Sequence, residues 1–111
     1  MSKIVHMATT AVASSIGLNI DQADDLNTGL DELLRVSASE AGRNKPFFVR
    51  YNIHPDRLEV LAEDINASFT DKTSKVSRYR RFILEKVADR FEEKTNQAGS
   101  LDVLLVKFLN G

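Results

Sequence analysis

Phe47-Phe48-Val49-Arg50-Tyr51-Asn52-Ile53-His54-Pro55-Asp56-Arg57-Leu58-Glu59-Val60-Leu61-Ala62-Glu63 reads as a β-hairpin. Phe47, Val49, Tyr51 and Ile53 alternate with Phe48, Arg50, Asn52 and His54, and Leu58, Val60 and Ala62 alternate with Glu59, Leu61 and Glu63. A period of two sends alternate side chains to opposite faces of a strand. Pro55 occupies the second place of His54-Pro55-Asp56-Arg57, where its fixed φ suits a type I turn. One face of the hairpin is apolar and the other mixed, as in a sheet covered by helices mainly on one side. Further on, Leu101 to Leu109 is apolar at nearly every position, the pattern of an interior strand.

The segments around these strands read as helices. From about Ile4 to Ile16, Val5, Ala8, Val12 and Ile16 recur at helical spacing, and Gly17 supplies a stop. Asp21 is the expected N-cap of a second helix, with Asp24 and Asp25 in the first turn, where the dipole favours carboxylates. Leu26, Leu30, Leu33, Leu34 and Ala41 form its apolar stripe, and Gly42 and Pro46 close it. Gly29 inside that helix carries a propensity cost, which points to close packing there. Asp64 to about Thr73 breaks the pattern and reads as a loop. A third helix follows with Val76, Tyr79, Ile83 and Val87 on one stripe. Phe91 to Lys94 either extends that helix or begins a short strand, and Thr95 to Ser100 is a turn. The order helix, helix, strand, strand, helix, strand gives a single α+β domain over residues 1–111. Its expected architecture is a two-layer sandwich of about three helices on a mainly antiparallel, mixed sheet of three to four strands.

Composition narrows the function classes. With 15 basic and 16 acidic side chains the net charge is −1, so there is no global attraction for nucleic acid or anionic lipid. Cysteine is absent, which excludes disulfides, thiolate metal sites and a cysteine nucleophile and fits a reducing, cytoplasmic setting. No long apolar run follows Met1 to Met7, against a signal peptide, and no stretch approaches the ~20 residues of a bilayer span. His6 and His54 have no second ligand at metal spacing and read as a near-terminal polar residue and a turn residue. The glycines are scattered, so no phosphate-cradling loop can be drawn. The carboxylates Asp21, Asp24, Asp25, Asp31 and Glu32 read as a solvated helix face. The only basic concentration runs from Lys72 to Lys86. Lys75, Arg78 and Arg81 recur every third residue there and share a helix face that could meet an acidic protein surface or phosphates. Asp71, Glu85 and Asp89 dilute it, which disfavours direct nucleic-acid binding.

Several strings resemble anti-sigma regulatory factors, small serine-kinase-like members of the histidine-kinase-like ATPase superfamily. They are Ile16-Gly17-Leu18, Asp25-Leu26, Leu30-Asp31-Glu32-Leu33, Pro55-Asp56-Arg57-Leu58-Glu59-Val60, Ile83-Leu84-Glu85-Lys86-Val87-Ala88-Asp89 and Leu104-Leu105-Val106-Lys107-Phe108-Leu109. The resemblance runs from near Met7 to Leu109. It implies the superfamily's fold, in the order α-α-β-β-α-(β)-β, with Arg90 to Lys94 as the bracketed strand.

The departures from that family are specific. Glu32 matches the glutamate that polarises the attacking group in active members, but Val36 stands where an asparagine holds Mg²⁺, and a hard cation needs oxygen donors. Asp64 matches the aspartate that contacts adenine, but Asn66 and Ser68 replace the glycines that follow it. Ser77 to Phe82 lacks the glycine-rich phosphate lid. Phosphoryl transfer depends on the metal and on backbone positioning of the phosphates, so an active kinase is not expected. The resemblance implies a degenerate, non-catalytic transcription regulator without a cofactor, whose partner is a sigma factor or an anti-anti-sigma protein. The alternatives are an ATP- and Mg²⁺-dependent serine/threonine kinase using Glu32 and Asp64, and a nucleic-acid binder using Lys75, Arg78 and Arg81. The family usually begins with a strand beside the first hairpin strand. Ser2 to His6 is too short for one, so an open sheet edge is expected, available to a partner or to a homodimer.

Overall fold

The computed structural model describes residues 2–41, 48–65, 75–95, 97 and 101–109, and among these the side chains of residues 2, 34–41, 64, 76 and 77 lie outside the description. Helices α1 (Ser2–Ser15) and α2 (Ile20–Ala41) precede strands β1 (Phe48–Ile53) and β2 (Arg57–Ile65). Helix α3 (Lys75–Val87) and strands β3 (Arg90–Thr95) and β4 (Leu101–Phe108) complete the order. The four strands form one sheet in the order β1-β2-β4-β3, every pairing antiparallel. The chain is therefore an α+β two-layer sandwich, with β4 an interior strand. Arg90 to Thr95 is a strand, which resolves the alternative left open by the sequence.

The hairpin pairs Tyr51 with Val60 and Val49 with Ala62, and the adjoining pair sets Val60 against Leu105 and Ala62 against Val103. These residues share the face under the helices. Leu58, Val60 and Ala62 of β2, Leu101, Val103 and Leu105 of β4, and Leu26, Leu30 and Leu33 of α2 form the core, together with Ala13 of α1 and Leu84 of α3. Each large aliphatic side chain buried this way is worth roughly 1.5–3 kcal/mol. Gly29 lies where α2 presses on the sheet: a Cβ there would stand 2.9 Å from Leu105 Cδ1 and 3.3 Å from Val87 Cγ2. The close packing expected from a mid-helix glycine is present.

Helix ends follow local chemistry. Gly17 takes φ 95°, and the N–H groups of Leu18 and Gly17 donate to the carbonyls of Ala13 and Ser14. That is a Schellman stop, with buried Leu18 packed near buried Ala13. The N-cap of α2 is Asn19 rather than the expected Asp21. Asn19 Oδ1 accepts the Gln22 N–H at 2.8 Å, and Gln22 Oε1 accepts the Asn19 N–H at 2.9 Å, a reciprocal capping box.

Among the described side chains, two expected stripes hold except at one residue each: Val5, Val12 and Ile16 of α1 pack against the core, and Ile83 and Val87 lie on the inward side of α3. In α1 Ala8 is exposed and Thr9 is buried, because the Thr9 hydroxyl bonds the Tyr51 hydroxyl at 2.7 Å and draws its side of the helix onto β1. In α3 Tyr79 is 64% exposed, and the inward side is Arg80, Ile83, Leu84 and Val87. Residues 2–6 are helical, so β1 is an edge strand among the described residues. The loop expected from Asp64 begins later than that, because Asp64 and Ile65 belong to β2, and its remainder falls outside the described residues, as do Gly42, Pro46 and most of the turn expected from Thr95 to Ser100.

Candidate functional site

Helix α3 carries its inward residues on one side only, and the remaining surface has a definite composition. Lys75, Arg78, Tyr79, Phe82 and Lys86 are exposed at spacings of three and four, so they line up along the helix. Glu85 is the one acidic residue beside them. Phe82 is 55% exposed, and the Lys86 ammonium stands 5.4 Å from its ring centroid, within cation–π range. Two large aromatic rings in water, flanked by three cations, form an anion-complementary, partly apolar strip.

Of the three basic residues expected to share a face, Lys75 and Arg78 lie on this strip. Arg81 does not: it turns toward the sheet and pairs with Glu93 of β3, its side chain only 18% exposed. Tyr79 and Phe82, which the sequence sets between these basic residues, join the strip, Tyr79 in place of its expected position on the core stripe.

Glu32 sits at the other side of α3. It is buried, and its Oε2 lies 4.0 Å from Arg80 Nε, so the carboxylate faces a guanidinium across the α2–α3 contact. A hard cation would find poor terms here, since the residue one turn on is Val36, which brings no oxygen donor. Of this pair only Glu32 offers side-chain oxygen donors, and they face Arg80. Asp64 belongs to β2 by its backbone, at the register shift between Ala62 and Ile65; its side chain lies outside the described residues. Among the described residues no three His, Cys, Asp or Glu side chains converge as a metal site would require, and no helix is long and apolar enough to cross a membrane.

Two other polar clusters are structural in form. Lys107 on the core face of β4 is buried and donates to Asp25 Oδ2 at 2.9 Å and to Val87 O at 2.8 Å. Asp89 Oδ1 stands 3.7 Å away. At the hairpin tip, His54 Nε2 meets Glu59 Oε1 at 2.9 Å, and Arg57 reaches both Asp56 and Glu59. The His54 hydrogen bond, helped by Arg57, holds the Glu59 carboxyl below its ordinary pKa. His6 pairs with Asp31 at 2.7 Å, joining α1 to α2.

Comparison with protein-family models and with curated proteins gave no match.

Proposed function

We propose that this chain is a non-catalytic regulatory protein of the cytoplasm that acts by binding another protein, in the manner of the anti-sigma factors its sequence resembles. The observation that carries the reading is the outward strip of α3, where Tyr79 and Phe82 stand in water between Lys75, Arg78 and Lys86. Exposed aromatic anchors beside cations are what a protein contact of acidic character uses, the rings for affinity and the charges for orientation and on-rate. The pairing of Glu32 with Arg80, together with Val36, supports a scaffold over a kinase. The partner class is a sigma factor or an anti-anti-sigma protein that presents an acidic surface.

The test is capture of partners from the native host with the wild-type chain and with an Arg78→Glu/Phe82→Ala double variant, read by mass spectrometry. A sigma factor or anti-anti-sigma protein retained by the wild type and lost by the variant is the expected result. Absence of both classes, or capture indifferent to the variant, overturns the reading. Calorimetric titration with ATP and Mg²⁺ is expected to show no heat at millimolar nucleotide. Saturable binding there would restore the kinase alternative. Salt-dependent retention of oligonucleotides by the same strip would instead favour nucleic acid.

A further inference from the structure

The free side of β1 is built differently from an ordinary blunted edge. The His54 N–H donates to Arg57 O at 3.0 Å, and this bond sets the alternation of the hairpin. Residues 48, 50 and 52 exchange main-chain bonds with β2, whereas Val49, Tyr51 and Ile53 turn their N–H and C=O groups outward. Among the described residues no strand takes those groups. Phe48 and Ile53, both large and apolar, are 62% and 58% exposed on this strand. The edge carries no proline, and Arg50 is its only charge.

Helix α1 lies above this edge, tied to it by the Thr9–Tyr51 hydroxyl pair. His6 and Thr10 bond α2 through Asp31 and Asn27, which fixes the side of α1 that faces inward along the helix layer. Ile4 and Ala8 lie on the side of α1 turned away from α2, and both are exposed. An exposed apolar side of α1 therefore stands over a strand edge that is unpaired among the described residues and that also exposes apolar side chains.

We propose that β1 pairs antiparallel with β1 of a second copy of this chain, about a twofold axis at Tyr51, with the two α1 helices meeting above it. The sequence of the edge is complementary to itself in that register. Tyr51 meets Tyr51, Val49 meets Ile53, Arg50 meets Asn52 and Phe48 meets His54. The outward groups of Val49, Tyr51 and Ile53 fall into hydrogen-bonded positions, giving about six main-chain bonds across the axis. The neighbouring register centred on Arg50 sets Arg50 against Arg50, a like-charge pair that penalises it. Ala8, small and exposed, lets the two helices approach beside it to the roughly 8–10 Å of packed pairs, with Ile4 adding apolar contact one turn away. The dimer joins two four-stranded sheets into one and leaves the outer strip of α3 free on both copies.

Sedimentation equilibrium of the full chain tests this without any partner, so its outcome is independent of the sigma-factor reading. The expected result is twice the 12.4 kDa chain mass at micromolar concentration. Ile53→Pro removes an outward N–H and leaves the β1–β2 ladder intact. Ala8→Arg puts bulk and charge on α1 instead. Each is expected to weaken the dimer by more than about tenfold with the circular dichroism of the fold unchanged. Because the chain has no native cysteine, Arg50→Cys/Asn52→Cys reports the register: it is expected to crosslink across the axis under mild oxidation, and Arg50→Cys alone is not. A monomer at hundreds of micromolar overturns the proposal and leaves the edge to a foreign strand. A dimer that survives both folded variants, or crosslinking by Arg50→Cys alone, overturns it as well.

Discussion

Lys107 Nζ lies 2.9 Å from Asp25 Oδ2 and 2.8 Å from Val87 O, so one buried ammonium ties β4 to α2 and caps the last turn of α3. A cation at a helix C-terminus complements both the free carbonyls and the dipole. Asp25 and Asp89 remain partly exposed, at 44% and 39%, so water can serve them if the lysine is removed, whereas the Lys107 side chain itself is only 9% exposed. Lys107→Met keeps the apolar stem and loses the charge. It is expected to cost about 2 kcal/mol. Asp25→Asn, which leaves Asp89 nearby, is expected to cost less than about 1 kcal/mol. Urea unfolding of both variants checks the order, and an Asn variant as damaged as the Met variant would contradict it.

Gly29 faces a conflict between propensity and packing. Alanine would gain about 1 kcal/mol of helix propensity. Its Cβ, however, would stand 2.9 Å from Leu105 Cδ1, and Leu84 and Val87 close the same space. Leu105 and Leu84 are fully buried, so neither can swing into solvent. Overpacking of this kind costs about 1–3 kcal/mol, and it outweighs the propensity gain. Gly29→Ala is expected to lower stability by about 1 kcal/mol. A rise in denaturation midpoint would show that the core repacks freely at this point.

What was legible in the sequence was what depends on local periodicity. The hairpin, the interior strand from Leu101 and the Gly17 stop each announce themselves through a period of two, an unbroken apolar run or a residue that tolerates positive φ. Ala8 and Tyr79 fall outside otherwise correct stripes because a polar neighbour takes the inward place beside each. Thr9 is drawn inward by the Tyr51 hydroxyl, and Arg80 by the buried Glu32. A stripe that includes a polar or charged inward residue is invisible to a reading that counts apolar side chains only. Lys107 was hidden for the same reason, a charge within an apolar strand, with partners 82 and 20 residues away. The cap of α2 moved from Asp21 to Asn19 because Asn19 has Gln22 three residues on, and the reciprocal pair satisfies two donors at once. Asn19→Ala is accordingly expected to cost about 1 kcal/mol, with Asp21→Ala near neutral.

The hairpin tip gives stability a defined dependence on acidity. Glu59, bonded by His54 and Arg57, releases its proton more readily in the folded chain than in the unfolded one. A carboxyl with a depressed folded pKa contributes stability above its unfolded pKa and loses that contribution as the pH falls through its folded value. The wild type is therefore expected to exceed Glu59→Gln in urea midpoint at neutral pH. The gap should narrow once the pH falls below about 4. A gap of constant size from neutrality to about pH 3 would show that the carboxylate charge contributes nothing.

Tyr79 and Phe82 separate a contact surface from a core. Were they core residues, truncation to alanine would cost about 3–5 kcal/mol. Both rings stand more than half in water, and Phe82 gains a cation–π contact with Lys86 that at an exposed site is worth about 0.5–1 kcal/mol. Tyr79→Ala is expected to leave the unfolding midpoint within about 0.5 kcal/mol of wild type. Phe82→Ala should lose no more than about 1 kcal/mol, the Lys86 contact. The same substitutions are expected to weaken partner capture strongly, because exposed aromatics flanked by cations carry a large share of binding energy when they enter a partner's pocket. Unfolding and capture measured on the same two variants therefore decide the matter. Loss of stability with capture intact would return this face of α3 to a purely structural role.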